Sequence, residues 1–122
     1  MPSTPYHAAF ADLPRESLAG GVLERTAVRT DGSLVTFNWI QPGHSEVPPH
    51  DHPYDQLSLV FAGTLELELA GTPHHVHTGE LLYIPAGVPH TGRVVGDEPV
   101  LNVDVFTPVR DDYLALAAHQ PE

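Results

Sequence analysis

Short apolar segments follow one another along this chain at regular intervals, each closed by glycine or proline. Leu34-Val35-Thr36-Phe37-Asn38-Trp39-Ile40 is β-branched and aromatic, and it stops at the turn signal Gln41-Pro42-Gly43. Residues 56–61 form the next such segment; after Gly63, Leu65, Leu67 and Leu69 alternate with polar residues as a half-buried strand requires. Gly71-Thr72-Pro73 turns the chain into a strand over 74–77, and Leu81-Leu82-Tyr83-Ile84 follows Gly79 and ends at Pro85-Ala86-Gly87. Two more strands, over 91–95 and 100–106, flank the turn Gly96-Asp97-Glu98-Pro99. Strands this short, with no helical segment between them, predict an all-β fold, an antiparallel barrel or sandwich, and not a βαβ arrangement.

The two ends read differently. Pro2, Pro5 and Pro14 keep residues 1–20 from forming a long helix, so an irregular arm with a short helical turn around 12–18 is expected there. The tail is the segment with a helical pattern: Asp111 is placed to cap a short helix over 112–119, rich in Ala and Leu. This divides the chain into an arm with the first strand or strands (1–29), a β-barrel (30–107) and a short C-terminal helix and tail (108–122). A length of 122 residues supports one modest core, so these are parts of one domain.

Composition narrows the chemistry. All five basic residues are arginine, against 16 acidic ones, for a net charge of −11. That balance argues against nucleic-acid binding, which needs a basic stripe to displace counterions, and a chain without lysine cannot form a Schiff base. With no cysteine there is no disulfide, thiolate nucleophile or Cys-type zinc site, so a metal here has to be held by His, carboxylate or amide. The opening residues carry no basic and apolar leader, and nowhere do eighteen apolar residues run together, which predicts a cytoplasmic protein without a membrane segment.

Histidine is where the chemistry concentrates. His50 and His52 are two residues apart, so on an extended chain both rings leave the same face, and Gln56 shares that parity. A second segment, running from Gly79 through Pro85 and Gly87, delivers His90 just after a turn. Three imidazoles and an amide oxygen suit one divalent first-row ion: Zn, Ni, Fe, Mn or Co. A lone His-x-His among nine histidines is weak evidence by itself, and His75 and His77 form another one in an expected exposed hairpin. His44 lies near the expected barrel mouth and reads as a loop residue; His7 and His119 read as terminal surface groups.

The two segments resemble the paired motifs of the cupin superfamily. Gly43, His50, His52, Gln56 and Gly63 stand for the first motif, and Gly79, Pro85, Gly87 and His90 for the second. Gly43 is one residue further from His50 than is usual, Gln56 replaces the common glutamate, and Val94 stands where an asparagine often follows. The resemblance covers residues 30–107 and implies a jelly-roll β-barrel that holds a metal through His50, His52, Gln56 and His90. With a neutral amide in place of a carboxylate, a divalent ion would keep its full formal charge, which favours Lewis-acid chemistry over support of a higher-valent iron.

The last strand and its sequel, 101–113, resemble more narrowly the small pectin-degradation cupins of KdgF type, which open 4,5-unsaturated monouronates to linear ketouronates and carry the same glutamine. That resemblance implies a metal-dependent isomerase or tautomerase of carbohydrate metabolism acting on a small anionic substrate, a sugar acid, with Asp104, Phe106 and Arg110 as active-site acid, aromatic and arginine. Parity agrees: Asn102, Asp104 and Phe106 share one face of the strand, where a carboxylate is costly unless used or paired, Arg110 being the obvious partner. Tyr54 and Tyr83 are further candidates for the cavity wall or its rim. A metal-dependent dioxygenase and a non-catalytic ligand-binding barrel are alternatives on the same fold. Leu57, Leu59 and Phe61 point away from the histidine face and need cover, which with the habit of cupins predicts a homodimer.

Overall fold

In the computed structural model, which describes residues 4–44 and 48–121, the strands pair antiparallel into two sheets. Residues 45–47 of the first motif segment, 1–3 of the arm and 122 of the tail lie outside the described residues. The larger sheet runs in the order β1 (Glu16–Leu18), β2 (Leu23–Arg29), β3 (Leu34–Ile40), β9 (Val100–Thr107), β4 (Asp55–Ala62), β7 (Leu81–Ile84). The smaller one is β6 (Thr72–His77), β5 (Thr64–Leu69), β8 (His90–Val94). The pairing gives two sheets, and a bridge between His50, ahead of β4, and His90 at the start of β8 ties the smaller sheet to the segment entering β4.

Register explains why a cavity forms between the sheets. The inward positions of β2 read Leu23, Arg25, Ala27; those of β3 read Ile40, Asn38, Thr36, Leu34; those of β9 read Val100, Asn102, Asp104, Phe106. Pairing puts Arg25 opposite Asn38, Asn38 opposite Asn102 and Asp104 opposite both Thr36 and Ser58. A polar band thus crosses four strands between two apolar layers. On one side Leu23, Ile40, Val60 and Val100 pack with Leu65, Leu67, Val76 and Val94 of the smaller sheet. On the other, Ala27, Leu34 and Phe106 pack with Ala117 and Tyr113 of the tail.

Gly63 joins β4 to β5 with φ of +76°, and a Cβ there would lie 2.6 Å from the Pro99 carbonyl oxygen and 2.9 Å from Val100 Cγ2. The last glycine of the first motif is therefore a packing requirement of the start of β9. Gly63→Ala is expected to lower unfolding free energy by about 2–4 kcal/mol, from the left-handed backbone and the overpacking together. Urea denaturation checks this; a loss under about 0.5 kcal/mol, the range of a neutral surface change, would contradict it.

The ends depart from expectation. The arm forms 3₁₀ turns at Phe10–Asp12 and Ala19–Gly21 and is extended at Glu16–Leu18, where a helical turn was expected. Pro14 breaks the segment, and β1 then pairs with β2. Leu13 and Phe10 cover part of the sheet's outer face, Leu13 packing with Phe37 and Val103 and the Phe10 ring lying 4.8 Å from Phe37 and 5.9 Å from Phe61. The smaller sheet's edge strand β6 begins at Thr72, not 74; Pro73 is tolerated at an edge.

The tail is a 3₁₀ helix, Asp111–Ala117, preceded by Arg110, and no side chain caps it, so Asp111 is not the cap. His119 is half-buried instead of a surface group: its Nε2 donates to the Ala27 carbonyl at 2.8 Å. Gln120 accepts from the Arg29 N–H at 2.8 Å and donates to the Arg29 carbonyl at 2.9 Å, occupying the edge of β2 beyond the reach of β1. Among the described residues no helix is long and apolar enough to cross a membrane.

Candidate active site

His50, His52 and His90 converge. Ring centroids lie 4.4 Å apart for His50 and His90, 4.9 Å for His52 and His90, and 6.2 Å for His50 and His52. His50 and His90 are tied backbone to backbone, His50 N–H donating to the His90 carbonyl at 3.0 Å and His90 N–H to the His50 carbonyl at 2.8 Å. The turn Pro85-Ala86-Gly87 brings Gly87 N–H to the His52 carbonyl at 2.9 Å, which fastens the second motif onto the first.

Ring orientation is fixed locally. His52 Nδ1 lies 3.1 Å from the Tyr54 carbonyl and His90 Nδ1 lies 2.9 Å from the Val88 carbonyl. Carbonyls only accept, so both Nδ1 atoms carry a proton, and in the neutral form of such a ring Nε2 presents a lone pair. Burial, with Arg110 and then His90 adding to it, lowers the His52 pKa and favours its neutral form. Its Nε2 faces Gln56 Oε1 at 3.0 Å, two acceptors turned toward each other. Rotation of the Gln56 amide reconciles them, and so does a cation held between them. Among the described residues no three His, Cys, Asp or Glu side chains are placed so that they could hold a metal ion. The donor types are those a divalent ion takes, imidazoles with an amide oxygen beside them.

Asp104 lines the same cavity as His50, His90 and Gln56, and in the register it is the diagonal neighbour of Gln56 on the adjacent strand. Ser58 Oγ donates to its Oδ1, Asn102 Nδ2 donates to Oδ1 at 3.1 Å, and Asn38 Nδ2 reaches Oδ2 at 3.4 Å. These donors partner the carboxylate, for which the sequence offers Arg110 as the alternative to a functional role. Arg110 Nε donates to Asp112 at 2.9 Å and holds that carboxyl below the ordinary carboxylate range, while the guanidinium lies over Tyr113 at 3.8 Å and Phe106 at 4.8 Å. Arg110 still lines the cavity, so it remains available to a ligand there. Phe106 is buried, its ring 5.6 Å from His52, and it serves both the core and the cavity wall.

Tyr54 packs with Phe106 and the tail, but Tyr83 lies on the outer face, half exposed, with its hydroxyl donating to Asp55. His44 lines the cavity. His75 and His77 are exposed on β6, His75 bonded to Glu66. Sequence reasoning missed Arg25, Asn38, Ser58 and Tyr113 as cavity residues, although Asn38 and Ser58 carry polar groups at inward strand positions, which is the signal that finds them.

Comparison with known proteins agrees with this geometry. The Cupin_2 cupin domain matches residues 39–106. Protein SchB of Streptomyces halstedii is 33% identical over 94 residues, 73% of this chain and 67% of its own length. The H2HPP isomerase of Bacillus subtilis is 33% identical over 86 residues, 70% of this chain, and the chain spans only 36% of that protein. The pectin degradation protein KdgF of Dickeya dadantii is 25% identical over 103 residues, 84% of this chain and 93% of that one. Among solved structures, KdgF from a Halomonas species superposes with a TM-score of 0.78 at 22% identity, covering 89% of this chain and 98% of that one, a likeness of fold.

Proposed function

This chain belongs to the cupin family, and from that premise we propose that it is a metal-dependent isomerase that opens a small unsaturated sugar acid without net oxidation or reduction. The observation that carries the reading is the placement of Asp104 and Arg110 on the walls of the cavity that His50, His90 and Gln56 also line. The likeness to KdgF proteins by sequence and by fold supports it.

In a 4,5-unsaturated monouronate the ring oxygen is bonded to both the anomeric carbon and an alkene carbon. Opening removes the anomeric hydroxyl proton, breaks the bond from anomeric carbon to ring oxygen, and leaves an aldehyde and an enolate. The enolate then takes that proton on its other alkene carbon and becomes a ketone. The proton count is unchanged, so the task is one proton carried from oxygen to carbon within one site.

Asp104 is the carrier: its carboxylate, surrounded by donors, accepts the hydroxyl proton and returns it to carbon. Arg110, on its aromatic bed, receives the substrate carboxylate. His50, His52, Gln56 and His90 would hold the divalent ion, whose positive charge supplies polarisation of the oxygen where enolate character develops. Loss of the substrate's alkene absorbance, with spontaneous opening subtracted, tests the reading. Acceleration by metal-loaded protein over an EDTA-treated control is expected. Binding without turnover would make the chain a ligand-binding module, and substrate-dependent O₂ consumption would make it an oxygenase.

The same reading includes a homodimer. Leu81 is 62% exposed, Tyr83 50%, Phe61 48% and Leu57 40%, an apolar face on β4 and β7 that the arm leaves open. β7 is also an edge strand, so a second copy could cover the face and meet the edge together. Sedimentation at micromolar concentration is expected to give a dimer that Leu81→Asp dissociates; wild-type monomer alone would rule it out.

A further inference from the structure

Arg25 sits half-buried on β2, opposite Asn38 in the register, with its guanidinium in the cavity wall. Its Nε donates to Asn38 Oδ1 at 2.5 Å and its Nη1 to the Tyr113 hydroxyl at 3.0 Å. An arginine cannot accept a hydrogen bond, so the Asn38 atom facing it has to be the oxygen, and Asn38 Nδ2 has to face the other way. There it donates to Asn102 Oδ1 at 3.1 Å and reaches Asp104 Oδ2 at 3.4 Å.

Asn102, accepting there through its oxygen, presents its own Nδ2 to Asp104 Oδ1 at 3.1 Å, to Ser58 Oγ at 3.0 Å and to the Leu59 carbonyl at 3.1 Å. Ser58, having accepted, gives its hydroxyl proton to Asp104. The chain of bonds therefore runs one way, from a cation that only donates to a carboxylate that, ionised, only accepts. The Leu59 carbonyl holds the Asn102 amide from one side; the Asn38 amide takes its direction from Arg25, the group that occupies its oxygen.

We propose that Arg25 is a positioning residue for Asp104: through Asn38 and Asn102 it fixes the direction of donation so that the carboxylate is held as the proton acceptor of the cavity. The proposal rests on the reading of Asp104 as the proton carrier. Through Tyr113, on whose ring Arg110 lies, the same guanidinium also braces the residue assigned to the substrate carboxylate.

The test compares Arg25→Met, which keeps the aliphatic stem and removes every donor, with Arg25→Lys, which restores a group that only donates. With thermal unfolding as the check on folding, Arg25→Met is expected to lower kcat roughly tenfold to a hundredfold, as misplacement of a reacting group does, with a smaller change in KM. Arg25→Lys recovers most of kcat. Hydrogen exchange of the Asn38 and Asn102 side-chain amides, followed by NMR on the same proteins, needs no substrate: protection is expected in the wild type and Arg25→Lys and at least a tenfold loss of it in Arg25→Met. An unchanged kcat in a wild type that turns the uronate over, failure of lysine to rescue, or unchanged amide protection overturns the proposal. A wild type without turnover fails the proposed reaction instead, and amide exchange still decides whether Arg25 sets the direction of the chain.

Discussion

Asp104→Asn is expected to reduce turnover of a 4,5-unsaturated monouronate by about 10²–10⁴-fold, the range that a positioned acid–base group contributes. The substitution keeps size and polarity, so the strand register opposite Thr36 and Ser58 has no steric reason to change. What it removes is the one group in the polar band that can take a proton from an oxygen and release it to carbon. Asn38, Asn102 and Ser58 face this position as donors, and an amide nitrogen placed among them would have to turn away or rotate its neighbours. Bound metal per chain, measured by mass spectrometry, should stay at the wild-type level, because Asp104 is not among the proposed ligands His50, His52, Gln56 and His90. Unchanged turnover would remove Asp104 from the mechanism, and unchanged ligand binding with no turnover in either protein would favour the binding module.

How far the sequence could be read follows from which contacts are local. The strands, the period-two faces and the two histidine motifs depend on neighbours within a few residues, and they were legible: β3, β5 and β7 have the expected bounds. Pairing across the sheets is not local. Nothing in Leu23–Arg29 by itself shows that Arg25 meets Asn38, or that Ser58 on β4 meets Asp104 on β9; those neighbours exist because β9 inserts between β3 and β4. The Arg110 expectation shows the limit well. An ion pair with Arg110 was the alternative to a functional Asp104, but a carboxylate two residues away holds Arg110 Nε, and the donors at Asp104 are Asn102 of its own strand with Asn38 and Ser58 of the two neighbouring ones. The tail was misjudged for the same reason, since its geometry answers to the exposed edge of β2 and to Arg25, which holds Tyr113, not to a capping residue of its own.

Removing the proposed metal site should be as damaging as removing Asp104, by a separable route. His90→Ala deletes an imidazole but keeps the backbone bridge to His50, so the local chain path survives. Metal content is expected to drop well below that of the wild type, and turnover to fall roughly a hundredfold or more, because polarisation of a developing enolate oxygen contributes several kcal/mol. EDTA treatment of the wild type should reproduce the rate loss and a divalent ion should restore it, whereas in His90→Ala restoration should be incomplete. The two substitutions then give different signatures: Asp104→Asn, metal kept and chemistry lost; His90→Ala, both lost. If His90→Ala keeps full metal and rate, the ion is not held by His90. If chelation leaves the rate unchanged, the isomerisation is carried by Asp104 and Arg110 without an ion, and the facing lone pairs of His52 and Gln56 are reconciled by rotation of the amide.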